Sequence, residues 1–82
     1  MREYTKTVIL NKFERTLKVR GKHEEYLRKY GLEVDDKILK AYFIGILRAL
    51  TFDIIGILEN RPAKWSEING VIWETIQKYN IP

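Results

Sequence analysis

The sequence predicts an all-α fold, a small bundle of about four helices around one long, largely buried central helix. Three observations carry this. Apolar residues recur at helical spacing through most of the chain, capping and stopping residues fall between the periodic stretches, and residues 43–58, FIGILRALTFDIIGIL, are nearly all apolar and, on a helical wheel, apolar on most sides. With 82 residues, 45% of them hydrophobic and only two prolines, the chain reads as ordered and too short for two cores, so a single domain over residues 1–82 is expected.

Thr5 is placed to cap a first helix running to about Arg20, because Ile9, Leu10, Phe13 and Leu17 share one side at about 100° per residue, and Gly21 is placed to stop it. The same segment carries a competing signal. RTLKVR alternates apolar with polar and TVIL is rich in β-branched residues, so the alternative is an α+β fold with an N-terminal β-hairpin over residues 5–20. KHEEYLRKYGL then predicts a short helix over about 22–30, closed by a left-handed Gly31 and sealed by Leu32. Asp35 is the expected N-cap of the main helix, with Val34 placed for a hydrophobic staple and Asp36 near the positive end of the helix dipole. The main helix runs from Asp36 to about Asn60, roughly 36 Å, with Thr51 as the candidate site of a break, and Arg61-Pro62 ends it. Ser66 is placed to cap a last helix over about 67–79 whose apolar side is Ile68, Val71, Ile72, Ile76 and Tyr79.

The central helix has three faces. With Gly45 at zero on a helical wheel, Gly56, Ala49 and Asp53 fall at about 20°, 40° and 80°, a narrow sector of small side chains. Leu39, Phe43, Ile46, Leu47, Leu50, Ile54 and Ile57 form a large apolar sector. A polar sector of Lys37, Lys40, Arg48, Thr51 and Glu59 is interrupted by Ile44, Ile55 and Leu58. Three shorter helices have too little surface to cover such a helix, so self-association as a homodimer is expected. The expected contacts are Ile44, Ile55 and Arg48 on the interrupted polar face, or Gly45, Ala49 and Gly56 on the small face, where a second helix approaches closely. The competing reading of the glycines is that they make room for a bulky aromatic of the same chain. A membrane-spanning role is disfavoured, because each charge near the centre of an inserted helix costs about 2.5–3.5 kcal/mol, and Arg48 and Asp53 are two of them.

Asp53 is the carboxylate expected to be buried, which makes it a candidate functional acid or, on the plainer reading, a structural hydrogen-bond acceptor. No catalytic constellation, metal site or cofactor is expected. Glu33, Asp35 and Asp36 are better explained by a helix cap, His23, Glu24 and Glu25 by an ordinary helix surface, and no phosphate-cradling glycine loop or nucleophile elbow is present. The absence of cysteine excludes disulfides and thiolate metal sites, and with an N-terminus unlike a signal peptide it suggests an intracellular, cytoplasmic setting. Charge is uneven, +5 over residues 1–30 and −1 over the rest. Lys12, Arg15, Lys18 and Lys22 gather opposite the apolar side of the first helix, a strip suited to phosphates, while Tyr26 and Tyr30 are expected to pack in the core rather than stack on bases.

Residues 54–72, IIGILENRPAKWSEINGVI, resemble the first part of a winged-helix regulator of the HxlR-like type, in which an apolar helix ends in a Pro-containing turn followed by a basic–aromatic pair and then Glu with an aliphatic residue. Pro62, Lys64-Trp65 and Glu67-Ile68 carry the resemblance. It covers less than a quarter of the chain and implies DNA binding, but WETIQKYNIP leaves no room for a recognition helix and wing, so no base-contacting residue is assigned. The expected function is that of a small helical protein–protein interaction module, regulatory or accessory as many tiny phage or mobile-element proteins are, acting by binding rather than catalysis. The alternative is a nucleic-acid-binding regulator using the basic N-terminal strip.

Overall fold

The computed structural model describes residues 1–79. Within them the chain forms α1 (Glu3–Lys18), α2 (Arg20–Lys29), α3 (Asp36–Glu59) and α4 (Trp65–Lys78), and no strand. Residues 5–20 are therefore not a hairpin. Val8 and Ile9 both pack into the core, which adjacent residues of a strand, pointing to opposite faces, do not do; burial overrides the β-propensity of TVIL.

Several helix ends fall elsewhere than the sequence suggests. Thr5 is not a cap: α1 already begins at Glu3, Arg2 is the extended N-cap residue, and Thr5 is completely buried. Its hydroxyl lies near Glu59 but outside hydrogen-bonding geometry. Gly21 does not stop α1. Val19 breaks the helix, and Gly21 sits in the first turn of α2. α2 does end as expected, with Gly31 at φ 79°, the Leu32 N–H donating to the Leu27 carbonyl at 3.1 Å and the Gly31 N–H to the Arg28 carbonyl at 2.9 Å, the paired bonds of a Schellman closure. Asp35 caps α3 through the Ile38 N–H at 2.8 Å. α3 passes Thr51 unbroken, because that hydroxyl is buried and donates to the Leu47 carbonyl of its own helix at 2.7 Å.

α3 sets the 37 Å long dimension of the molecule, close to the ~36 Å that a helix of its length spans. α1 and α4 pack along one side of it, and α2 sits over its N-terminal half through His23, whose ring lies against Tyr42 and Phe43. The core joins Ile9 and Phe13 of α1, Leu27 of α2, Phe43, Leu47 and Ile55 of α3 and Val71 of α4.

The α3–α4 turn is locked by charge. Asn60 turns the chain in the left-handed region, φ 51°. The Arg61 guanidinium then donates to Glu59 at 2.7 Å and to both oxygens of Glu67 at 2.7 and 2.8 Å. Glu67 also accepts from the Lys64 N–H at 3.0 Å, so Lys64 rather than Ser66 is the N-cap residue, and α4 starts at Trp65. The N-terminus joins the same cluster: the Met1 ammonium lies 3.0 Å from Glu67, and the Arg2 N–H donates to Glu59 at 2.8 Å. That N–H, with Arg61 adding to it, holds the Glu59 carboxyl at about 2, and the Arg61 guanidinium holds Glu67 well below the usual carboxylate range.

Candidate functional site

Because α1, α2 and α4 gather on one side of α3, the opposite side faces solvent. Gly45, Arg48, Ala49, Phe52, Asp53 and Gly56 are all exposed. Of the most apolar eighteen-residue stretch of this helix, 28% is buried. By length and composition α3 also qualifies as a membrane span; spanning would carry Arg48 and Asp53 into hydrocarbon.

The glycines of this face make room for nothing among the described residues of their own chain. A Cβ built at Gly45 or Gly56 meets no atom within 4 Å, which removes the reading in which they accommodate an intramolecular aromatic. Neither has the positive φ that would require glycine. Two helix-weakening residues thus stand on an open surface without a conformational reason.

Two of the expected site residues are placed otherwise. Asp53 is exposed, not the buried carboxylate expected from its place in an apolar run, since all three neighbouring helices lie on the far side of α3. Ile55 is completely buried in the core. On the wheel it stands within about 20° of Arg48, yet it lies two turns further along, where the cover is wider. Ile44 is half-buried. Ile57, expected in the large apolar sector, is instead 77% exposed at the end of α3.

The structure adds aromatics that the sequence reading passed over. Phe52 meets Trp65 of α4 edge to face, with ring centroids 5.4 Å apart, and both rings are exposed, extending the α3 face toward the start of α4. The signal available in the sequence was the spacing Gly45, Ala49, Phe52, Gly56, in which Phe52 falls at about 340°, among the small residues.

A second surface lies on α1 and α2. Lys12, Arg15, Lys18 and Lys22 are exposed. Lys18 is 3.7 Å from Glu14, whereas Lys12, Arg15 and Lys22 have no acidic partner among the described residues. Arg15 and Lys18 line a shallow depression of about 170 Å³ with Asn11 and Glu14, and Lys22 borders a separate open groove of about 510 Å³ with Val19, His23, Tyr26 and Tyr42. Tyr26 and Tyr30 are not in the core; both are exposed and lean on each other, centroids 4.9 Å apart. Tyr42 shares a 2.7 Å hydrogen bond with His23 Nδ1, and burial raises its hydroxyl pKa.

Among the described residues no three His, Asp or Glu side chains converge as a metal site would require. No family model matches the chain, and no curated protein or solved structure is significantly similar to it. The winged-helix resemblance of residues 54–72 corresponds here to the end of α3, the locked turn and the start of α4, with no strand to form a wing among the described residues.

Proposed function

We propose that this protein is a small helical interaction module, regulatory or accessory in role, that acts by binding and associates with itself through the exposed face of α3. One observation carries the reading: α3, the longest and most apolar helix among the described residues, presents Gly45, Ala49, Phe52 and Gly56 to solvent, and none of the described residues packs on the glycines. A small soluble domain seldom leaves such a face uncovered unless another surface covers it. The flat stretch of small side chains suits close approach by a second helix.

Sedimentation across the micromolar range tests this. The wild-type chain should give a concentration-dependent dimer that persists in moderate salt, because the contact is mainly apolar. Ala49→Glu alters only an exposed position, so it should keep the fold and abolish the dimer. A monomer at every concentration contradicts the reading.

A second reading is favoured by Lys12, Arg15 and Lys22, which have no acidic partner among the described residues, and by the exposure of Tyr26, which shares a groove with Lys22, and of Tyr30: contact with nucleic acid through phosphates, with tyrosine stacking. Its signature is affinity that falls steeply with salt and collapses when Lys12, Arg15 and Lys18 become Glu. Retention of affinity in that triple variant sinks it.

A further inference from the structure

We infer that two copies of this chain pair through α3 side by side, parallel and in register, with Arg48 of each copy against Asp53 of the other. This rests on the self-association proposed above and adds its geometry. Gly45, Ala49, Phe52 and Gly56 follow one another at intervals of four, three and four residues, the spacing of the inward positions of a two-stranded coiled coil. Arg48 precedes Ala49 on one flank of this seam, and Asp53 follows Phe52 on the other. Both are exposed, and neither forms an ion pair within the chain among the described residues. Within one helix they stand about 140° apart and do not meet.

Symmetry decides what they meet. A two-fold axis running along the helices lays the Arg48 flank of one copy against the Asp53 flank of the other. The offset between the two residues is five, that of the charged pairs flanking a parallel coiled coil, and the axis generates the pair twice. An antiparallel arrangement lays each flank against its own copy, Arg48 beside Arg48 and Asp53 beside Asp53, so like charges share a side.

Packing agrees with the parallel arrangement. Phe52 is the one large side chain of the seam, and in the parallel register it meets Phe52 of the other copy, with the layers of Ala49 and Gly56 before and after the pair. Those positions are small, and space at Gly56 is open. The occupant is therefore a second copy, which supplies at once the facing Phe52, the small residues before and after it and the complementary charge.

The chain has no cysteine, so single thiols report orientation. Gly45→Cys, Ala49→Cys and Gly56→Cys are oxidised separately. In the parallel register each thiol meets its own counterpart, and all three variants give disulfide-linked dimers. Linkage at only one position, as an antiparallel dyad allows, overturns the parallel pairing while leaving self-association standing. Arg48→Asp and Asp53→Arg should each raise the dimer dissociation constant about tenfold, since each disrupts two symmetric pairs, and the double variant R48D/D53R should return it near the wild-type value. A double variant no tighter than the singles overturns the cross-pairing. Circular dichroism should show every variant as helical as the wild type. A wild-type chain that is monomeric throughout, or one that floats with phosphatidylcholine vesicles and loses its dimer there, overturns self-association and the inference together.

Discussion

Phe52 of α3 and Trp65 of α4 meet edge to face at 5.4 Å between centroids while both rings remain open to solvent. The pair marks the end of the α3 face nearest α4, where an apposed helix would remove water from Trp65. In a Trp73→Phe background, which leaves Trp65 the only indole, fluorescence emission should move to shorter wavelength as concentration rises. The same background carrying Ala49→Glu should show no shift. A concentration-independent spectrum in both places the contact elsewhere.

Gly45 and Gly56 make a two-sided expectation. In the isolated chain an added methyl meets nothing, and replacing glycine within a helix by alanine stabilises it by about 0.5–1 kcal/mol. Across a close helix contact the same methyl holds the partner away. Gly56→Ala should therefore raise the unfolding midpoint of the monomer in denaturant at low concentration while weakening the dimer in sedimentation. Strengthening of both would mean that the glycines face no partner.

Ile55 and Phe43 are expected to affect folding and not recognition. Both are completely buried. Phe43→Ala should cost about 3–5 kcal/mol, which is most of the stability of a domain this small. Ile55→Asp places a charge in the core and should abolish cooperative unfolding by heat. An Ile55→Asp chain that still melts cooperatively near the wild-type temperature would require Ile55 to be outside the core.

The locked turn gives stability an acid limb. Glu59 has its pKa lowered from 4.5 to about 2, and Glu67 is lowered as well. A group with a depressed folded pKa contributes stability that is fully present above its unfolded value and is lost as pH falls through the folded one. The melting temperature should hold steady above about pH 5 and fall progressively toward pH 2. Glu67→Gln, which weakens the grip of Arg61 and of the Met1 ammonium, should lower the plateau and flatten the fall. A wild-type melting temperature flat from pH 6 to 2 would show that the turn is not held by its carboxylates.

Leu39 and Ile57 explain why the fold was more legible than the site. Eighteen residues apart, they occupy the same angle of an ideal helix, five turns from one another, yet Leu39 is 4% exposed and Ile57 77%. A wheel carries the period and loses position along the axis, so it assigns four helices and a three-faced α3 but not the places where α1, α2 and α4 stop covering it. Ile55 was misplaced for that reason, and Asp53 because the wheel does not say which side of α3 the other helices cover; Tyr26, on α2, lies outside the core where its apolar ring suggested burial. Caps written in local chemistry, Asp35 and Gly31, were legible. Arg2, held by Glu59 far along the chain, was not, and at Lys64 the local Glu67 box was hidden behind Ser66, a stronger capping residue by type.

On the dimer proposal, the open face of α3 is the surface a second copy covers. Amide and methyl NMR signals followed through a dilution series test it residue by residue. Gly45, Ala49, Phe52 and Gly56 should shift together with one dissociation constant, while Lys12 and Arg15 on α1 stay fixed. Signals on α3 that do not change with concentration, or shifts confined to α1 and α2, would contradict it.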